Sequence, residues 1–90
     1  MSGRVEKAQI LGKTSAGFII RKMGDQEVLE LYSSNLNFIK SKTVVIGNQQ
    51  VIRAEIVGDY VIYYCLNMEE RMAYLNAVIV NSDLSYSSNK

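Results

Sequence analysis

An antiparallel β-meander or small β-barrel of five to six strands with one C-terminal α-helix is the mainly β fold that this chain predicts, on three observations. Gly24-Asp25, Gly47-Asn48 and Gly58-Asp59 each stand between runs of alternating or β-branched apolar residues. Glycine at the first central position supplies the positive φ of a type II′ turn and Asp or Asn tolerates the second, so each dipeptide reads as a hairpin turn. Tyr60 to Leu66 is apolar or aromatic at every position, the pattern of a strand covered on both faces. Beyond it Met68, Met72, Leu75 and Ile79 recur at spacings of four, three and four, which is a helical stripe.

The elements follow in order. Val5 to Leu11 reads as a first strand, ended by a loop in which Gly12, Ser15 and Gly17 interrupt the pattern. Phe18 to Met23 reads as the second: Phe18, Ile20 and Lys22 share one face of the pleat, and Ile19, Arg21 and Met23 share the other. Glu27 to Tyr32 places Leu29 and Leu31 together, opposite Val28, Glu30 and Tyr32. Ser33 to Lys42 breaks the alternation and reads as an irregular crossover whose Leu36, Phe38 and Ile39 plug one end of the sheet. Thr43 to Ile46 and Gln49 to Val57 form a hairpin around Gly47-Asn48, with Ile52, Ala54 and Ile56 alternating against Arg53 and Glu55. In Tyr60 to Leu66, Tyr60, Ile62, Tyr64 and Leu66 take one face, and Val61, Tyr63 and Cys65 the other.

Asn67 followed three residues later by Glu70 resembles a capping box, which starts the helix over about 68–79. The β-branched run Val78, Ile79 and Val80 supports the competing reading of Ala77 to Val80 as a last strand. One domain thus spans 1–80, and 81–90, poor in apolar residues, reads as a flexible tail.

A chain of 90 residues, 48% of them hydrophobic and 21% charged, builds one core of modest stability. Its single cysteine, Cys65, staples nothing internally, so the composition points to an intracellular, cytoplasmic setting. No basic leader precedes an apolar run, and Tyr60 to Leu66 is far shorter than the roughly 20 residues of a spanning helix, so no membrane association is expected.

Charge is unevenly distributed. Residues 1–53 carry eight basic against four acidic side chains, and residues 54–90 carry two against five. Such a split suits a polyanion-binding face, for which Lys13, Arg21, Lys22, Lys40 and Lys42 are the candidates, or two halves that attract each other.

The chain holds no histidine, which removes the commonest general base and metal ligand and with them Ser-His and Cys-His triads. Zinc needs several Cys or His ligands. Cys65 reads as a small buried hydrophobe. Gly12-Lys13-Thr14 resembles the end of a phosphate-binding loop, but Lys7 stands where that motif needs glycine and a strand follows in place of a helix. Glu27 and Glu30 differ in parity along a strand and point to opposite faces.

Catalytic, metal and cofactor sites are therefore all read as absent. Six tyrosines remain to be explained. Tyr60, Tyr63, Tyr64 and Tyr74 are the candidates for an interface, because tyrosine supplies rigid amphipathic contact area. The functional expectation is a small non-enzymatic binding module, an adaptor or inhibitor like those of viruses and mobile elements, acting on a protein partner and forming a homodimer. The alternative is a nucleic-acid-binding small β-barrel whose basic N-terminal hairpins hold phosphates while tyrosines stack on bases.

Overall fold

The alternation along the chain becomes seven strands among the described residues: β1 (Lys7–Thr14), β2 (Gly17–Met23), β3 (Glu27–Tyr32), β4 (Phe38–Val44), β5 (Gln50–Val57), β6 (Tyr60–Glu69) and β7 (Met72–Asn81). The computed structural model describes residues 7–86, so Val5, Glu6 and the tail residues 87–90 lie outside the described residues. The strands form two antiparallel sheets, ordered β1-β2-β3-β4 and β5-β6-β7. Each sheet is open at both sides. The expected single meander or closed barrel of five to six strands is thereby corrected to two open sheets whose inner faces meet.

The alternation in the sequence sets those inner faces. Ile19, Leu29, Leu31 and Val44 from the first sheet are buried together with Ala54, Val61, Tyr63, Cys65 and Val80 from the second. Burying such side chains is worth about 1.5–3 kcal/mol each. Beyond β7 the chain turns back, Tyr86 bridges to Val80, and Leu84 enters the core. The first residues of the segment read as a tail thus close one end of the structure.

The expected helix over 68–79 is absent, and the same residues form the end of β6 and most of β7. The two strands pair without a register shift from Tyr60 opposite Asn81 to Glu69 opposite Met72. The physical reason lies in β6, which is apolar on both faces and central in its sheet, so its backbone needs a partner on each side. β5 supplies one partner and β7 the other. Had residues 68–79 been helical, that second row of backbone groups would have lost its ladder. Leu75, which a buried helical stripe would cover, is 74% exposed. The suspected capping box is a tight turn in which Glu70 and Arg71 both take positive φ, 54° and 92°, the signature of a type I′ hairpin.

The three turn signals have different fates. Gly58, at φ 60°, joins β5 to β6 as expected. Gly24 lies in the connection between Met23 and its partner Glu27, again a hairpin, but its loop has three residues and Gly24 lacks the positive φ of the expected type II′ turn, which is thereby corrected. Gly47 also has positive φ, 75°, but it lies in the segment 45–49 that carries the chain from one sheet to the other, and β4 and β5 are not neighbours. The Gly47-Asn48 hairpin is therefore corrected to a crossover, and the second half of the expected crossover at Ser33 to Lys42 belongs to the edge strand β4.

Candidate functional site

Two features of the structure go beyond what a small core requires: a charge cluster between the sheets and an apolar hairpin arm. The first follows from the parity of β2, which puts Arg21 on the Ile19 face and hence inside. Arg21 is 8% exposed. Its Nε donates to Glu27 Oε1 at 2.8 Å and its Nη2 to Glu27 Oε2 at 2.9 Å, a bidentate pairing closed across the β2-β3 hairpin. The guanidinium also lies 5.5 Å from the centroid of the Tyr63 ring on the opposing sheet. Glu27 raises the Arg21 pKa above its usual value, so the cation persists at any relevant pH.

Tyr63 is fully buried, and its hydroxyl has no hydrogen-bond partner among the described residues. It is near enough to Glu27 and Arg21 to feel both charges, but no contact has hydrogen-bond geometry. Burial first, then the Glu27 charge, pushes the phenol pKa far above its usual value. Beside this cluster a groove of about 510 Å³ runs between the β2-β3 turn and the 45–49 segment, past Met23, Asp25, Thr43 and Gln49. With Arg21 and Glu27 already paired to each other, it presents no uncompensated charge from that pair.

The five basic candidates are divided among three places. Arg21 is inside. Lys13 and Lys22 share the outer face of the first sheet, Lys13 5.6 Å from the Phe18 ring and Lys22 3.6 Å from Glu30 Oε2. Lys40 and Lys42 stand opposite Leu31 and Leu29 in register, on the other side of the pleat, and Lys42 lies 3.9 Å from the Tyr86 ring. Glu30, opposite in parity to Glu27, takes the outer face as expected and accepts from Tyr32 Oη at 2.9 Å.

The four interface tyrosines are likewise separated. Tyr63 is in the core, and Tyr60 is half-exposed at the β5-β6 turn. Tyr64 lies on the outer face of the second sheet and donates to Glu55 Oε2 at 2.9 Å. Tyr74 stands on the exposed arm opposite Asn67.

That arm was not foreseen. β5 reaches only to Leu66 of β6, so Asn67 to Tyr74 continues as a two-stranded hairpin with no third strand. Its apolar side chains and the adjoining Leu75 are open to solvent: Met68 is 65% exposed, Met72 58% and Leu75 74%. Met68 and Leu75 continue on the outer face of the second sheet into Leu66, Tyr64 and Ile62, whose cross-strand partners are Leu75, Ala77 and Ile79, whereas Met72, opposite Glu69, lies on the other face of the arm. The usable signal was the absence of charge from Met72 to Asn81, read as part of a helix.

Among the described residues no group of three or more His, Cys, Asp or Glu side chains is placed to hold a metal ion. Burial pushes the Cys65 thiol pKa up, so the thiol stays protonated near neutral pH. No helix of the described residues is long and apolar enough to cross a membrane. Compared with protein-family models, curated proteins and solved structures, the chain matches none.

Proposed function

We propose that this protein is a small intracellular binding module without enzymatic activity, an adaptor or inhibitor that works through protein-protein contacts made by the β6-β7 arm and the outer face of its sheet. The observation that carries the reading is the arm itself. Met68 and Leu75 on the outer face, and Met72 with Tyr74 on the opposite face, are displayed on a hairpin that adds nothing to the core, and exposed apolar surface of this kind marks interaction sites. Methionine adapts to varied partner shapes. The free, buried Cys65 supports the intracellular setting.

Cross-linked capture from the native source, with wild type compared against Met72→Lys, tests the reading. Protein partners that survive nuclease treatment and disappear with Met72→Lys are expected. Equal recovery by the two baits refutes it.

A second reading, nucleic-acid binding, draws on the outer face of the first sheet, where Phe18, Tyr32 and Phe38 accompany Lys13 and Lys22. Tyr32 and Phe38 pack edge to face with centroids 5.7 Å apart. Stacking on such rings is worth about 1–3 kcal/mol per base. Titration of a fluorescent single strand at low salt checks it, and absence of binding there ends it.

A further inference from the structure

Four strands bound the two sheets, and three of them are defended against pairing. β1 carries Lys7 and Lys13 and a bulge between Ile10 and Gly12. β4 carries Lys40 and Lys42 and a register shift where it meets Leu31 and Tyr32. β5 carries Arg53 and Glu55 and a shift between Val51 and Arg53. Charges and bulges of this kind keep a further strand from adding to an edge. β7 has neither: Met72–Asn81 contains no charged residue, and its register with β6 is unbroken.

The free side of β7 offers an ordered row of backbone groups. The hairpin closes on Glu69 and Met72, so Tyr74, Asn76 and Val78 bond to β6 while Ala73, Leu75 and Ala77 turn their N–H and C=O outward. Asn81, of the same parity, shows that direction in use: its N–H donates to the Ser85 carbonyl at 2.7 Å. There the returning chain bridges Val80 through Tyr86. Between the bridge and the arm's tip, nothing among the described residues of this chain covers the edge.

We infer that a second copy of this chain pairs along this edge, antiparallel and twofold symmetric, with Leu75 opposite the partner's Leu75. The inference rests on the protein-binding reading above and names the partner. Two features favour a second copy. First, Ala73 and Ala77 flank Leu75 at equal distance, so the twofold axis sets Ala73 against the partner's Ala77 and satisfies every outward group, about six N–H···O=C bonds in all. Secondly, the tip of the arm, Glu69, Glu70 and Arg71, is net acidic by one charge, whereas the other end of the free edge, with Lys42 against Tyr86 and Lys40 acting on Asp83, is net basic by one. Antiparallel pairing carries each acidic tip to the partner's lysines. It also merges the exposed Leu75 side chains and their neighbours Leu66 and Met68 into one apolar strip.

Sedimentation equilibrium across the micromolar range tests this with three proteins. Wild type is expected at twice the 10.1 kDa of one chain, and Leu75→Lys, which puts a charge on an exposed residue, is expected at the single-chain mass with a dissociation constant raised at least about 100-fold. Ile10→Lys, equally exposed but on β1, keeps the dimer. A double variant, Tyr74→Cys with Asn76→Cys, places the new thiols opposite each other across the axis, where Cα atoms lie about 4.5 Å apart, within disulfide range. It is expected to oxidise to a covalent dimer.

Wild type at the single-chain mass throughout overturns the inference, as does a dimer that survives Leu75→Lys or is lost with Ile10→Lys. A monomer leaves the protein-binding reading standing, because that reading fails only if Met72→Lys captures the same proteins as wild type.

Discussion

Replacing Tyr63 by phenylalanine should stabilise this protein, although most core substitutions do the reverse. The ring fills the space between Val61 and Cys65 on the inner face of β6, and the Arg21 guanidinium lies 5.5 Å from its centroid. Phenylalanine retains that packing and removes only the hydroxyl, a fully buried polar group without a hydrogen-bond partner among the described residues. Leaving such a group unsatisfied costs about 1–3 kcal/mol. Attraction to the neighbouring charges offsets part of this, so the expected gain is about 1–2 kcal/mol, or on the order of 5–10 °C in Tm for a domain of this size. Urea unfolding at neutral pH reads it as a higher midpoint with an unchanged slope.

The same residue sets a pH signature. Its folded-state pKa lies above the unfolded value, so its contribution is complete below about pH 10, where the unfolded phenol ionises, and is lost as pH rises toward the folded pKa. The advantage of Tyr63→Phe should therefore widen above pH 10, by about 1.4 kcal/mol per pH unit at most. A loss of about 1 kcal/mol or more at neutral pH would refute the reasoning, because it would show that the hydroxyl is bonded in the folded protein.

Glu27→Ala strands the Arg21 cation inside and should cost about 3–5 kcal/mol in urea unfolding, whereas the double change Arg21→Met with Glu27→Leu should cost far less; similar losses would argue that the pair itself sustains the fold. Glu70→Asn with Arg71→Gly suits the positive φ of both residues and should add about 1–2 kcal/mol, read as a raised Tm at fixed protein concentration. Because burial raises the Cys65 pKa, its contribution is full below about pH 8.5 and declines above it. Cys65→Ala should flatten that part of the pH profile, and an unchanged profile would exclude the thiol as its source.

Much of the core was legible because alternation is enforced wherever a strand is half covered. The two faces assigned to Tyr60 to Leu66 are those observed, with Val61, Tyr63 and Cys65 inside, and the parity argument correctly separated Glu27 from Glu30. The arm was not legible for the complementary reason. With no third layer over Asn67 to Tyr74, nothing selects a period of two, and Met68, Met72, Leu75 and Ile79 fell by chance at helical spacings. β4 was hidden by Lys40, Ser41 and Lys42, residues suited to an edge strand. Arg21 was placed on the Ile19 face by its parity, yet it was counted with the surface cations because its partner Glu27 is fixed only once the hairpin closes.

The first sheet uses only residues between Lys7 and Val44, and the second only residues between Gln50 and Asn81, so every pair in either ladder is local in sequence and segment 45–49 is the covalent link between the halves. Each meander can assemble on the microsecond scale of hairpins, about 1–10 μs per turn, leaving face-to-face docking as the late event. Cutting the chain at Gly47-Asn48 would break no strand. It would turn docking into a bimolecular encounter, deprived of an effective concentration on the order of millimolar that the linker provides. Each freed half would then carry its share of Ile19, Leu29, Val61 or Tyr63 into solvent, so the connector is what keeps the two apolar faces for each other during synthesis and refolding.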